Sequence, residues 1–156
     1  MKKSYIIAGG LLLILLVMQV FQPEKNEGPK GGEADLLISL SVPEDVAMLL
    51  QSSCYDCHSD HTVYPWYSRI SPLSWYLHKH IEEGREALNF SEFGDEGRAG
   101  KIGTLSEICE VVEAGIMPLQ SYLLIHRDAA LSPDQGGLIC SWAEVESQKL
   151  LHPEED

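Results

Sequence analysis

The stretch Gln51–His61, QSSCYDCHSDH, constrains this chain more than any other. Cys54 and Cys57 stand two residues apart, His58 follows at once, and His61 comes three residues later. C-x-x-C-H is the attachment signature of a c-type haem. Two thiols at that spacing can add to the two vinyl groups on one porphyrin edge, and the next residue then lies beneath the iron. The alternative is a zinc ion held by Cys54, Cys57, His58 and His61. Zinc needs four ligands at tetrahedral angles, usually with the second pair a dozen or more residues away. His58 directly abuts Cys57, which makes ligation of one zinc ion by both awkward. A redox dithiol is a third reading, but the βαβ context of such motifs is missing. The spacing therefore favours one haem c per chain, with His58 as an axial ligand.

A haem iron has a second axial position. Met117, in EAGIMPLQSYLL, follows a helix stop at Gly115 and precedes Pro118. A methionine in such an irregular stretch can offer its thioether without breaking a helix; otherwise it is a core filler. His78 and His80 lie at i and i+2, so only one of them could face the iron, and a solvated helix surface is the plainer reading for both. His126 is a lesser rival.

Around this centre the chain divides into four parts. Residues 1–21 begin with Lys2 and Lys3 and continue as an uncharged run from Tyr5 to Phe21. Such a run is at the short end of the ~17–25 residues that span a bilayer. No small-residue cleavage site follows it, so an uncleaved inner-membrane anchor is expected, with the domain in the periplasm. The alternative is a cleaved signal and a soluble periplasmic protein. Residues 22–35 are rich in Gly, Pro and charge and read as a flexible linker. Residues 36–151 form the domain, and 152–156 an acidic tail. The net charge of −13 disfavours nucleic acid. It suits a redox partner protein with a basic docking face, or solubility alone.

The domain reads as all-α, with about four helices. Ser41 with Glu44 forms a capping-box pattern, with Pro43 in the first turn and Val46, Leu49 and Leu50 as the stripe. Ser71 and Pro72 open a second helix, with Leu73, Tyr76, Leu77 and Ile81 on one face. Thr104 with Glu107 opens a third, carrying Leu105, Ile108, Cys109 and Val112 and stopping at Gly115. Ser132, Pro133 and Gln135 open a fourth, with Leu138, Trp142 and Val145 as its stripe. Gly136 and Gly137 weaken that helix by about 1 kcal/mol each. A domain of this size is expected to build its interior around the porphyrin. In VYPWYSRISPLSWYL, Tyr64, Trp66, Tyr67, Trp75 and Tyr76 read mainly as a core wall against it. Arg69 is a candidate partner for a haem propionate, a solvated side chain being the alternative.

With these residues in place the chain resembles the haem-binding domain family of small exported cytochrome c-like proteins. The resemblance runs from about Val42 to Ala143. It rests on C-x-x-C-H-S, YPWYS, P-x-SW, G-R-x-x-LNFSEF and MPL-x-SYLLIH, in that order. It implies covalent haem through Cys54 and Cys57, His58 as proximal ligand and Met117 as distal ligand. Two features depart from the family pattern: Gly136-Gly137, and the pair Cys109 and Cys140. In an oxidising compartment two spare cysteines tend to pair, so a Cys109–Cys140 bridge is expected; two separate buried thiols are the alternative.

Three functions compete. Electron transfer fits a six-coordinate His–Met iron, which leaves no site for a substrate. A haem-based sensor or small-gas binder would displace Met117. A structural zinc module is the third. No catalytic constellation is evident, so the chain is not expected to be an enzyme.

Overall fold

The computed structural model of the chain describes residues 2–40 and 42–153. Eight α-helices appear among them: α1 Lys2–Met18, α2 Leu36–Ser39, α3 Glu44–Ser53, α4 Tyr55–His58, α5 Leu73–Ala87, α6 Arg98–Glu113, α7 Gln120–Leu123 and α8 Pro133–Leu151. Three 3-10 turns join them, Trp66–Arg69, Phe90–Asp95 and Arg127–Ala129. The described residues contain no strand, only an isolated bridge between Glu27 and His61. The domain is all-α, as its sequence predicts. The short helices α2, α4 and α7 carry too few residues for a periodic signal.

The four long helices of the domain match the predicted ones, three of them with shifted starts. For α3, Pro43 takes the N-cap position and Glu44 the first helical one. Ser41, the expected cap, lies outside the described residues. For α5 the cap is Pro72 rather than Ser71, whose hydroxyl instead meets that of Ser74 at 3.1 Å. Helix α6 begins at Arg98, before Thr104. There the Thr104 hydroxyl donates to the Glu96 carboxylate, at 3.1 Å to Oε2. Helix α8 carries the full capping box, with the Ser132 hydroxyl accepting from Gln135 N and the Gln135 side chain reaching back. Its buried face is Ile139, Trp142 and Ala143; Leu138 and Val145 of the expected stripe are exposed. Gly136 is buried against α6, where a Cβ would stand 3.1 Å from Val112 Cγ1. That close approach is a packing reason for a glycine inside the helix.

Helices α6 and α8 form the most extensive pair. Cys109 and Cys140 are joined across it by a disulfide, Cα to Cα 4.8 Å. The main core gathers Leu36, Val46 and Leu50 with Phe90 and Phe93, closed by Leu105 and Ile108 of α6 and by the buried face of α8. A smaller core joins Tyr67, Leu77 and Ile81, with Cys57 and Tyr64 against it. Helix α4 lies between the two.

Two expectations about the N-terminal part are corrected. No helix among the described residues is long and apolar enough to cross a membrane. Helix α1 has 17 residues including Lys2 and Lys3, or about 25 Å at ~1.5 Å per residue, short of a ~30 Å hydrocarbon layer. The single N-terminal span is therefore not supported. The segment expected to be a flexible linker is laid along the domain instead. Asn26 Nδ2 donates to Ser59 O at 2.8 Å and to Thr62 Oγ1 at 3.0 Å, and Asn26 N donates to Tyr64 Oη at 2.6 Å. Asp35, buried, caps α2 and accepts from Tyr55 Oη at 2.8 Å. Composition marked this stretch as polar, but Asn26 and Asp35 find partners on the domain. Of the acidic tail, residues 154–156 lie outside the described ones.

Candidate functional site

Cys54 ends α3 and begins α4, so the one-turn helix α4 presents Cys57 and His58 at once. Together with Met117 these residues line one cleft of about 260 Å³. Its other walls come from α5 (His80, Glu83, Gly84, Ala87) and from Pro118, Leu119 and Tyr122. The volume is below the ~300–1,000 Å³ typical of ligand pockets, so a flat ligand would lie partly exposed.

Met117 reaches the cleft through the end of α6. Gly115 has φ +65°, a left-handed conformation that few other residues adopt without strain. The Ile116 N–H donates to Val111 O at 3.0 Å and the Gly115 N–H to Val112 O at 3.1 Å, which is a Schellman end. The chain then turns back, and Met117 N also donates to Val111 O at 3.2 Å.

The donor set fits a haem better than a zinc ion. Burial pushes the Cys54 thiol up to about 12, with Cys57 adding to the rise. Burial, then the Asp56 carboxylate, pushes Cys57 up to about 11. A raised thiol pKa disfavours the free thiolate that dithiol chemistry uses. His61 turns away, its Nδ1–H donating to Gly28 O at 2.9 Å. The ligand atoms of Cys54, Cys57, His58 and His61 do not converge on one point. His58 Nδ1 lies 3.1 Å from Leu88 O. A carbonyl only accepts, so Nδ1 carries the proton and Nε2 keeps its lone pair, as in histidines that ligate metals. Burial lowers the pKa of His58, partly opposed by the Leu88 and Gly84 carbonyls, which keeps the ring neutral.

Several residues the sequence did not single out build this geometry. Gly84 lets α5 touch α4; a lone glycine inside a helical pattern was the available signal. Asp56, between the two cysteines, accepts from Val63 N at 3.0 Å and from Tyr122 Oη at 3.1 Å. It thereby ties α4 to the following loop and to α7. Burial and then Asp56 raise the pKa of Tyr122. Its ring stacks on His126 at 4.2 Å, and His126 Nε2 meets Tyr67 Oη at 2.8 Å.

Other expectations move. Arg69 is exposed at the end of its 3-10 turn, where Tyr67 and Ser68 take the inward positions, and it does not line the cleft. Of the aromatic segment only Tyr67 is buried; Trp66 is 76% exposed and Tyr76 53%. Trp75 Nε1 donates to Phe21 O at 2.6 Å, outside the cleft. His78 pairs with Glu82 at the surface, while His80 lines the cleft. His126 does not line it. The main core shares only Cys54 with the cleft, so the interior is not built around the ligand.

No curated protein and no solved structure matches the chain. The model of the haem-binding domain family matches residues 13–145. The match begins well before Leu36, so it takes in the segment laid along the domain. It covers the cleft and most of the core, and the chain belongs to the haem-binding domain family.

Proposed function

We propose that this domain is a mono-haem c-type cytochrome that carries electrons. Cys54 and Cys57 would hold the haem by thioether bonds, and His58 Nε2 and the Met117 thioether would ligate its iron. The observation that carries this reading is that these four side chains, from two distant stretches of sequence, line one cleft. When bound, the haem iron supplies a one-electron couple. The chain's own residues do the rest. Leu88 O orients the His58 ring, and Asp56 anchors α4 to α7. With Met117 as a second ligand the iron would have no free site for a substrate, which favours a carrier over an enzyme and would raise the reduction potential. The net charge of −13 suits a partner protein with a basic docking face.

The test is a pyridine haemochrome spectrum of protein made with the haem-attachment machinery, followed by a redox titration. A thioether-type spectrum, one reversible electron per chain and slow carbon monoxide binding are expected. Rapid carbon monoxide binding to the ferrous protein would favour a gas sensor instead.

A further inference from the structure

Met117 borders two cavities. One is the cleft; the other, of about 540 Å³, lies behind the Met117–Pro118 loop. Its walls include Gly115, Leu123, Leu131, Pro133 and Gly136, most of them small or apolar. A thioether turned out of the cleft therefore has a space lined by groups it can lie against.

The cleft meanwhile holds a second imidazole. His80 is half-buried on its α5 wall. Its Nδ1 lies 2.8 Å from Tyr76 O, and the Tyr76 ring flanks it at 4.2 Å. The carbonyl only accepts, so Nδ1 is the donor there, and in the neutral ring Nε2 then keeps its lone pair. This is the same tautomer by which Leu88 O prepares His58. Glu82 and Lys79, the nearest charged neighbours in sequence, are engaged with His78 and Glu83. Two of the cleft's histidines are thus set by backbone carbonyls to offer Nε2, though one is enough for a His–Met site.

We propose that His80 is a second distal ligand held in reserve, which takes the iron when Met117 turns into the cavity behind its loop. The proposal rests on the haem reading above. In the exchange the bond from iron to Met117 Sδ breaks and one from iron to His80 Nε2 forms. With the His80 ring in its neutral form, neither proton nor electron is gained or lost in the exchange. The result is a bis-imidazole state with a lower reduction potential than the His–Met state. One chain would then carry two redox settings.

The experiment uses the full haem-loaded chain and reads spin state by absorption and electron paramagnetic resonance. Met117→Leu should lose the weak long-wavelength band of sulfur–iron ligation yet stay six-coordinate and low-spin. Adding His80→Ala should make it high-spin, and free imidazole should restore the low-spin spectrum. His80→Ala alone should keep the sulfur band. Met117→Ala serves as a second variant where the leucine chain fails to fold, judged by circular dichroism. A high-spin spectrum in the folded, haem-loaded Met117 variants overturns the proposal. So does a low-spin spectrum that persists in the double variant. A wild type without thioether haem, by the haemochrome spectrum, overturns the haem reading and this proposal with it, which separates the two failures.

Discussion

Gly84 faces the backbone of Cys57 so closely that a Cβ on it would stand 2.8 Å from the Cys57 carbonyl oxygen. The contact is to backbone, which cannot swing aside as a flexible side chain can. It sets the distance between α5 and the one-turn helix that carries Cys57 and His58. Gly84→Ala should push the two apart and misplace His58 from Leu88 O. Overpacking of this kind costs about 1–3 kcal/mol. Urea unfolding should show that loss, with a lower yield of covalent haem; wild-type values for both would show that the helices can yield.

The main core lies beside the cleft rather than around it, and this governs what the haem-free chain does. Cys54→Ala with Cys57→Ala should abolish thioether haem. The core of α2, α3, α6 and α8, with its disulfide, should still fold. Far-UV circular dichroism should retain most of the helical signal and a cooperative melt at lower temperature. A chain that lost all cooperative unfolding would mean that the ligand organises the whole domain.

Met117 should set the potential. Methionine favours ferrous iron relative to imidazole. Met117→His should lower the midpoint in a redox titration and remove the sulfur–iron band. An unchanged midpoint and spectrum would place the distal ligand elsewhere in the cleft.

How far the sequence reached can be judged from particular residues. That Cys54, Cys57, His58 and Met117 share one cleft was legible, because a fixed spacing and a helix-stop followed by proline are local signals. The start of α6 was not. The capping pattern of Thr104 with Glu107 is a local start signal, and Gly100 and Gly103, each costing a helix about 1 kcal/mol, give no sign of an earlier start. The helix runs through both glycines, packed on α8. The exposure of Trp66 and Tyr76 was also hidden, since an aromatic run says how much area it could bury and not which side faces the core. The path of residues 26–35 was hidden for a different reason. It depends on single hydrogen bonds, donated by Asn26 and accepted by Asp35, and composition averages these away.

Those bonds make their own prediction. Asn26→Ala leaves Ser59 O without the Asn26 donor and removes the bond to Thr62 Oγ1. A deleted partner to buried polar groups costs about 1–3 kcal/mol. The domain should be destabilised by that amount in urea, and limited proteolysis should cut sooner between residues 22 and 35. A variant as stable and as protease-resistant as wild type would show that this segment contributes nothing to the fold.

The Cys109–Cys140 bridge joins α6 to α8, 31 residues apart in sequence. Closing a loop of that length removes unfolded-state entropy worth about 3–4 kcal/mol in the chain-entropy model. It acts where Gly136 has already brought the two helices close against Val112. Neither cysteine lines the cleft, so the bridge should support the fold without tuning the iron. Cys109→Ala with Cys140→Ala should therefore lower the unfolding free energy by about 3 kcal/mol and leave the absorption spectrum as it was. Thiol titration of the denatured, unreduced haem protein should count no free thiol, because the other two cysteines would be thioethers. Two free thiols there, together with a double variant of unchanged stability, would show that the bridge does not form in the protein.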